Sequence, residues 1–214
     1  GNGGNGGTVG ISHLKTAVIG GRIALDGGIA DTATYIGGTG GIFRVNGSGI
    51  VNVSQLNATG GGGLDSGTGG TIDIKTNSSI FIGNIFAFSP ASAQNAGNGG
   101  SVTINGSGVI NISSIDTHGD ASGGGAGQLS GSGGPVTIYG NAGSIESINI
   151  TSTGGEGMIG GSGGNTTFYA KTINVGFAKI LGSGGGGTEA ASAGGGLGGF
   201  IRINASTLTF TDML

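Results

Sequence analysis

Few residues in this chain have the types and spacing that chemistry requires. Gly160-Gly161-Ser162-Gly163-Gly164 has the spacing of a nucleophile elbow, in which a strained strand-to-helix turn presents a serine hydroxyl. It lies in a glycine-rich stretch with no helical pattern after it, so Ser162 is not read as a nucleophile. Gly182-Ser183-Gly184-Gly185-Gly186-Gly187 spaces its glycines like a dinucleotide-binding turn but lacks the strand–turn–helix context and the later acidic residue. Sugar-cleaving chemistry needs two carboxylates in one patch. The best grouping, Arg44 with Asp73 and Lys75, offers one and is read as a surface ion pair worth under about 1 kcal/mol. His13 and His118 lie in different repeats and are read as lacking acidic companions, so no metal site is expected. Gly62-Gly63-Leu64-Asp65 does not meet the calcium-binding nonapeptide pattern. No catalytic residue and no cofactor is assigned, and an enzyme is not expected.

Binding and modification offer more. Tyr139 and Tyr169 hold equivalent positions in neighbouring repeats and should stack, a candidate contact for glycans. Thr103, Thr137 and Thr167 form a rank of the kind ice binding uses, but the adjacent column of Ser12, Asn46, Lys75, Asn105, Tyr139, Tyr169 and Asn204 breaks any flat lattice. Nine Asn-x-Ser/Thr sequons occur, at 46, 52, 57, 77, 105, 111, 149, 165 and 204. Alternation of polar residues produces such triplets readily; Asn46 and Asn105, at turns, are the natural acceptors if the source glycosylates asparagine.

These residues are positioned by a repeat. Seven Gly-Gly pairs, at 6, 40, 69, 99, 133, 163 and 198, lie 34, 29, 30, 34, 30 and 35 residues apart. Each opens a short alternating segment such as Ser101-Val102-Thr103-Ile104 or Phe200-Ile201-Arg202-Ile203. Side chains alternate across a strand, so one inward column reads Val9, Phe43, Ile72, Val102, Val136, Thr166, Ile201. Its neighbour reads Ile11, Val45, Ile74, Ile104, Ile138, Phe168, Ile203. Matched columns of this kind predict coils stacked in register, an all-β parallel solenoid of about seven rungs. One domain, 1–214, is expected, with repeats 8–41, 42–70, 71–100, 101–134, 135–164, 165–199 and 200–214. A second pattern, as in Ile110, Ile112 and Ile115, predicts a strand, a corner and a third short strand. Residues 89–96 and 188–193 could each form one helical turn.

Composition narrows the class. Glycine supplies 57 of 214 residues and charged residues only 8%, with a net charge of −3. That leaves no basic stripe to grip phosphates, so nucleic acid is not an expected partner. The 35% of hydrophobic residues argues for packing over disorder. There is no cysteine for disulfides, and no apolar run reaches the roughly 18 residues that span a bilayer.

The bare coil Ser101–Gly119, with its Val-Thr-Ile-Asn-Gly-Ser-Gly-Val-Ile-Asn-Ile segment, resembles that of right-handed parallel β-helix proteins, particularly filamentous-haemagglutinin-like adhesins and autotransporter passengers. The resemblance is architectural, covers this segment in all seven rungs and carries no catalytic residue. It implies a right-handed coil at a cell surface or outside the cell. The departure is a glycine-rich arm in each repeat, as at 60–70, 119–134, 154–164 and 182–199. The arms should stack on one side as extended polyproline-II-like or irregular layers, since glycine permits backbone approach where a Cβ would clash. In composition they are similar to glycine-rich sheets of some phage tail adhesins and insect antifreeze proteins.

Gly1–Gly7 reads as the tail of an arm, and Phe200–Leu214 as a rung that stops after Met213, with no cap on either. Either a longer repeat protein or a head-to-tail protomer would fit. The expected function is a structural filament or surface stalk whose partner is itself, joined through Val9, Ile11, Ile201, Ile203, Phe210 and Met213. At about 4.8 Å per rung, one copy would extend the axis by roughly 30–35 Å. A glycan-binding adhesin module is the alternative; a polysaccharide-active enzyme or an ice-binding protein comes third.

Overall fold

The computed structural model of the chain describes residues 1–12, 15–31, 34–123, 128–146, 148–175, 180–187 and 194–210. Alternating segments pair in parallel as a first ladder: β1 (Thr8–Ser12), β3 (Ile42–Gly47), β5 (Thr71–Thr76), β7 (Ser101–Gly106), β9 (Val136–Glu146), β11 (Thr166–Val175) and β13 (Ile201–Phe210). A second ladder holds β2 (Thr16–Ala24), β4 (Ile50–Asn57), β6 (Ile80–Phe86), β8 (Ile110–Asp116), the end of β9, β10 (Asn149–Thr151) and β12 (Ile180–Leu181). The whole is an all-β parallel solenoid of about five turns. That is fewer than the seven rungs that the Gly-Gly pairs suggest.

The registers place the two inward columns as the alternation requires. Val9 pairs with Phe43, Phe43 with Ile72, Ile72 with Val102 and Val102 with Val136; Ile11, Val45, Ile74, Ile104 and Ile138 follow alongside. Ile72, Ile74, Ile104, Ile110, Ile115 and Ile138 are fully buried in one continuous core. Thr166, the polar interruption, is also buried, and its hydroxyl has no hydrogen-bond partner among the described residues. Such a group costs on the order of 1–3 kcal/mol.

Two local expectations are corrected. β4, β6 and β8 run unbroken through the supposed corner: the register skips Ser54, Gly83 and Ser113, and Leu56, Ile85 and Ile115 still point inward. Only the turns that begin with β9 and β11 divide there, into β9 with β10 and β11 with β12. Residues 89–96 form no helical turn, because the neighbouring turn captures their amides: Ser89 N–H donates to the His118 carbonyl and Ala96 N–H to that of Leu129. Residues 188–193 lie outside the described residues.

The glycine-rich segments also bond from turn to turn. Ser130 and Gly133 donate to Ile159 and Ser162 of the next turn, while Gly131 and Gly134 donate sideways to Asp120 and Thr117 of their own. Leu129 and Ser132 donate to the Asn95 and Asn98 side chains of the previous turn. Each direction recurs every third residue. Among the described residues no helix is long and apolar enough to cross a membrane.

Two substitutions at adjacent residues probe the inward assignment. Ile104→Asp puts a charge between Ile74 and Ile138 and should cost several kcal/mol. Thr103→Asp points outward and should stay within about 1 kcal/mol. Thermal midpoints should fall sharply for the first and little for the second; equal shifts would reverse the assignment.

Candidate functional site

Outward positions of the first ladder carry the exposed chemistry. Arg44 and Asp73 are register partners, with Lys75 two residues on, yet the ion pairs found among the described residues are both to His118. Thr103, Thr137 and Thr167 follow one another in the same column. Asn46 is exposed; Asn105 is half-buried, its side-chain oxygen accepting an N–H from Asn141 at 2.7 Å.

Next to the threonines, Tyr139 pairs with Tyr169 and Tyr169 with Asn204. The tyrosine rings stack at 5.0 Å between centroids and 5° between planes. Arg202 lies two residues before Asn204 on the same face, its guanidinium carbon 5.9 Å from the Tyr169 centroid. Beside them opens a cleft of about 480 Å³ lined by Asn141, Tyr169, Lys171, Asn204 and Ser206. The cleft has a simple origin: Asn204 is short where Tyr169 is long, so the aromatic stack ends in a step.

A second cluster was missed in the sequence and corrects the reading of His118. Asp116, His118 and Asp120 alternate along extended chain, which brings the three side chains to one side. His118 Nδ1 lies 2.6 Å from Asp116 Oδ1 and Nε2 3.7 Å from Asp120 Oδ2. The imidazole stacks on Phe88 of the previous turn at 4.7 Å and 11°. The hydrogen bond to Asp116, with the charges of both carboxylates, raises the His118 pKa above 6.5 against the opposing effect of burial. Among the described residues no group of three or more His, Cys, Asp or Glu is arranged to hold a metal ion.

Ser162 belongs to the glycine-rich ladder. Its N–H donates to Ser132 Oγ at 3.1 Å and its own Oγ accepts from Leu197 N–H at 3.3 Å, in extended backbone leading into β11. Gly185, in the other glycine motif, donates to the Gly161 carbonyl. Among the described residues β1 pairs with β3 and β13 with β11. Val9, Ile11 and Ile203 pack partly against the core, and Ile201 is 47% exposed. Phe210 pairs with Val175 through its backbone, its side chain outside the description; Met213 lies beyond the described residues.

The raised His118 pKa makes the protonated ring favour the folded state. That contribution is complete below about pH 6.5 and is lost as pH rises through the folded-state value. The thermal midpoint of the wild type minus that of His118→Gln should therefore be larger at pH 5.5 than at pH 9. A pH-independent difference would show that the proton is not linked to folding.

No family model, curated protein or solved structure matches this chain.

Proposed function

We propose that the chain is a structural protein, a right-handed β-solenoid that stacks head to tail into a rigid filament or surface stalk. Strands β1 and β13 carry this reading. They present the same two apolar columns in the same register, Val9 and Ile11 on one and Ile201 and Ile203 on the other. A second copy can continue both columns, burying apolar surface and pairing free backbone groups. The contact is heterologous and does not close, so it propagates. A place at the cell surface or outside the cell rests on the likeness of the coil to that of surface adhesins.

The glycine-rich segments belong to the same proposal as arms stacked on one side of the rod. Their support is the recurrence of each donor direction every third residue, the period of a polyproline-II helix. Gly61 and Gly62 make the test local. A Cβ on Gly61 would fall on the Gly28 carbonyl oxygen; one on Gly62 meets nothing within 4 Å. Gly61→Ala should cost about 2 kcal/mol or more and speed exchange of the surrounding amides, and Gly62→Ala should stay within about 0.5 kcal/mol. Equal small effects would make the arms loose loops.

A second reading, glycan binding, is favoured by the stacked Tyr139 and Tyr169 and the cleft beside them. It is compatible with a filament, since the rings face sideways from the axis.

Assembly is the deciding experiment. Concentrated wild-type protein should form unbranched fibres by electron microscopy and sediment as a series of oligomers. Ile203→Lys should give folded monomers, since the charge would be buried at the joint. A wild type that stays monomeric at high concentration, or fibres unchanged by Ile203→Lys, would overturn the head-to-tail reading.

A further inference from the structure

We infer that the cleft beside Tyr169 takes a negatively charged sugar, a pyranose bearing a carboxylate or sulfate. The inference rests on the glycan reading above and adds the charge of the ligand.

Tyr139 and Tyr169 already form two members of a stack whose spacing is the rise of one turn. The third place belongs to Asn204, which is shorter and lines the cleft together with Tyr169. The exposed Arg202 side chain lies over the Tyr169 ring, its guanidinium carbon 5.9 Å from the centroid. A flat, apolar sugar face fits there as the next ring once that flexible side chain swings aside to meet the charge of the sugar.

The polar groups around that place fix the sign of the ligand. Lys171 lines the cleft and Arg202 lies over the ring of Tyr169, another lining residue; both cations are exposed. No carboxylate is among the described residues that line it, and neither cation has an ion-pair partner among the described residues. In a chain with seven basic and ten acidic residues, two unpaired cations beside an aromatic ledge form a local reversal of charge. A guanidinium binds a carboxylate or sulfate through two parallel N–H donors. Asn141, Asn204 and Ser206 add carboxamide and hydroxyl groups suited to sugar hydroxyls.

The test uses the whole chain and three probes in calorimetric titration at low salt: a short oligogalacturonate with free carboxylates, the same oligomer fully methyl-esterified, and a sulfated neutral oligosaccharide. The acid oligomer or the sulfated one should bind, and the ester about fivefold or more weaker than the acid if the carboxylate is the recognised group. Lys171→Gln and Arg202→Gln should each weaken the charged probe by about fivefold, with thermal midpoints unchanged. Tyr169→Leu should abolish binding of every probe. Equal binding of acid and ester with Tyr169 still required would overturn the charge assignment and leave the sugar ledge standing. Charged probes indifferent to both Gln variants would do the same. No binding by any probe would overturn both readings.

Discussion

The amide of Val136 reaches the carbonyl of Asn165 at 2.9 Å, and the amide of Gly133 reaches that of Ser162 at 2.8 Å. One bond continues a strand ladder and the other a glycine-rich segment, yet both join the turn of β9 to the turn of β11. Two kinds of backbone must therefore climb by the same step per turn. Gly134, which bonds sideways to Thr117, shows the cost of that step: a Cβ on it would fall on the Gly100 carbonyl oxygen of the turn before, so glycine there is a condition of the stacking. Extra residues are accommodated in the plane of a turn. The additional pair in residues 141–143, opposite the single Lys171, shifts the register between Ala170 and Thr172 and leaves the step unchanged.

Because the step is fixed, side chains at equivalent positions become near-contacts whatever their chemistry. Tyr139 with Tyr169 at 5.0 Å and Phe88 with His118 at 4.7 Å are the same geometry on opposite courses of the chain. The buried isoleucines are that geometry turned inward. A column of like residues is thereby extended into a stack, and a column that changes size, as at Asn204, leaves a step.

The first ladder was legible in the sequence because alternation of apolar residues after each Gly-Gly pair fixes both the facing and the register of the strands. The bulge-like skip at Ser54, Gly83 and Ser113 was read as a corner, since an extra residue between apolar positions looks the same in either case. Asp116, His118 and Asp120 form an alternating triplet in the sequence, but such a triplet converges only where the chain is extended, and no apolar alternation marks it as extended there. The stack of His118 on Phe88 required the register of segments that have no alternation to align them. The side-chain ladder of the glycine-rich segments had its signal at the start of the chain: Asn2-Gly3-Gly4-Asn5-Gly6-Gly7 repeats every three residues. Ser162 resembled a nucleophile only because the same period put a serine between glycine pairs.

That ladder bears on how the protein ages. An asparagine followed by glycine is prone to lose its amide through attack of the glycine nitrogen on the side-chain carbonyl carbon. Here the attacking nitrogens of Gly6 and Gly99 donate to the carbonyls of Thr39 and Ser132, and the side-chain oxygens of Asn5 and Asn98 accept from the amides of those same residues. Nucleophile and electrophile are thus held by one neighbouring segment, and ring closure has to wait for that segment to part. Deamidation at these sites becomes a clock for local opening. Its product is also accommodated: Asp65 already places a carboxylate in an equivalent position, accepting the amide of Asn95 at 3.0 Å. Slow conversion of asparagine to aspartate would alter the surface charge of the protein while leaving its hydrogen-bonded step in place.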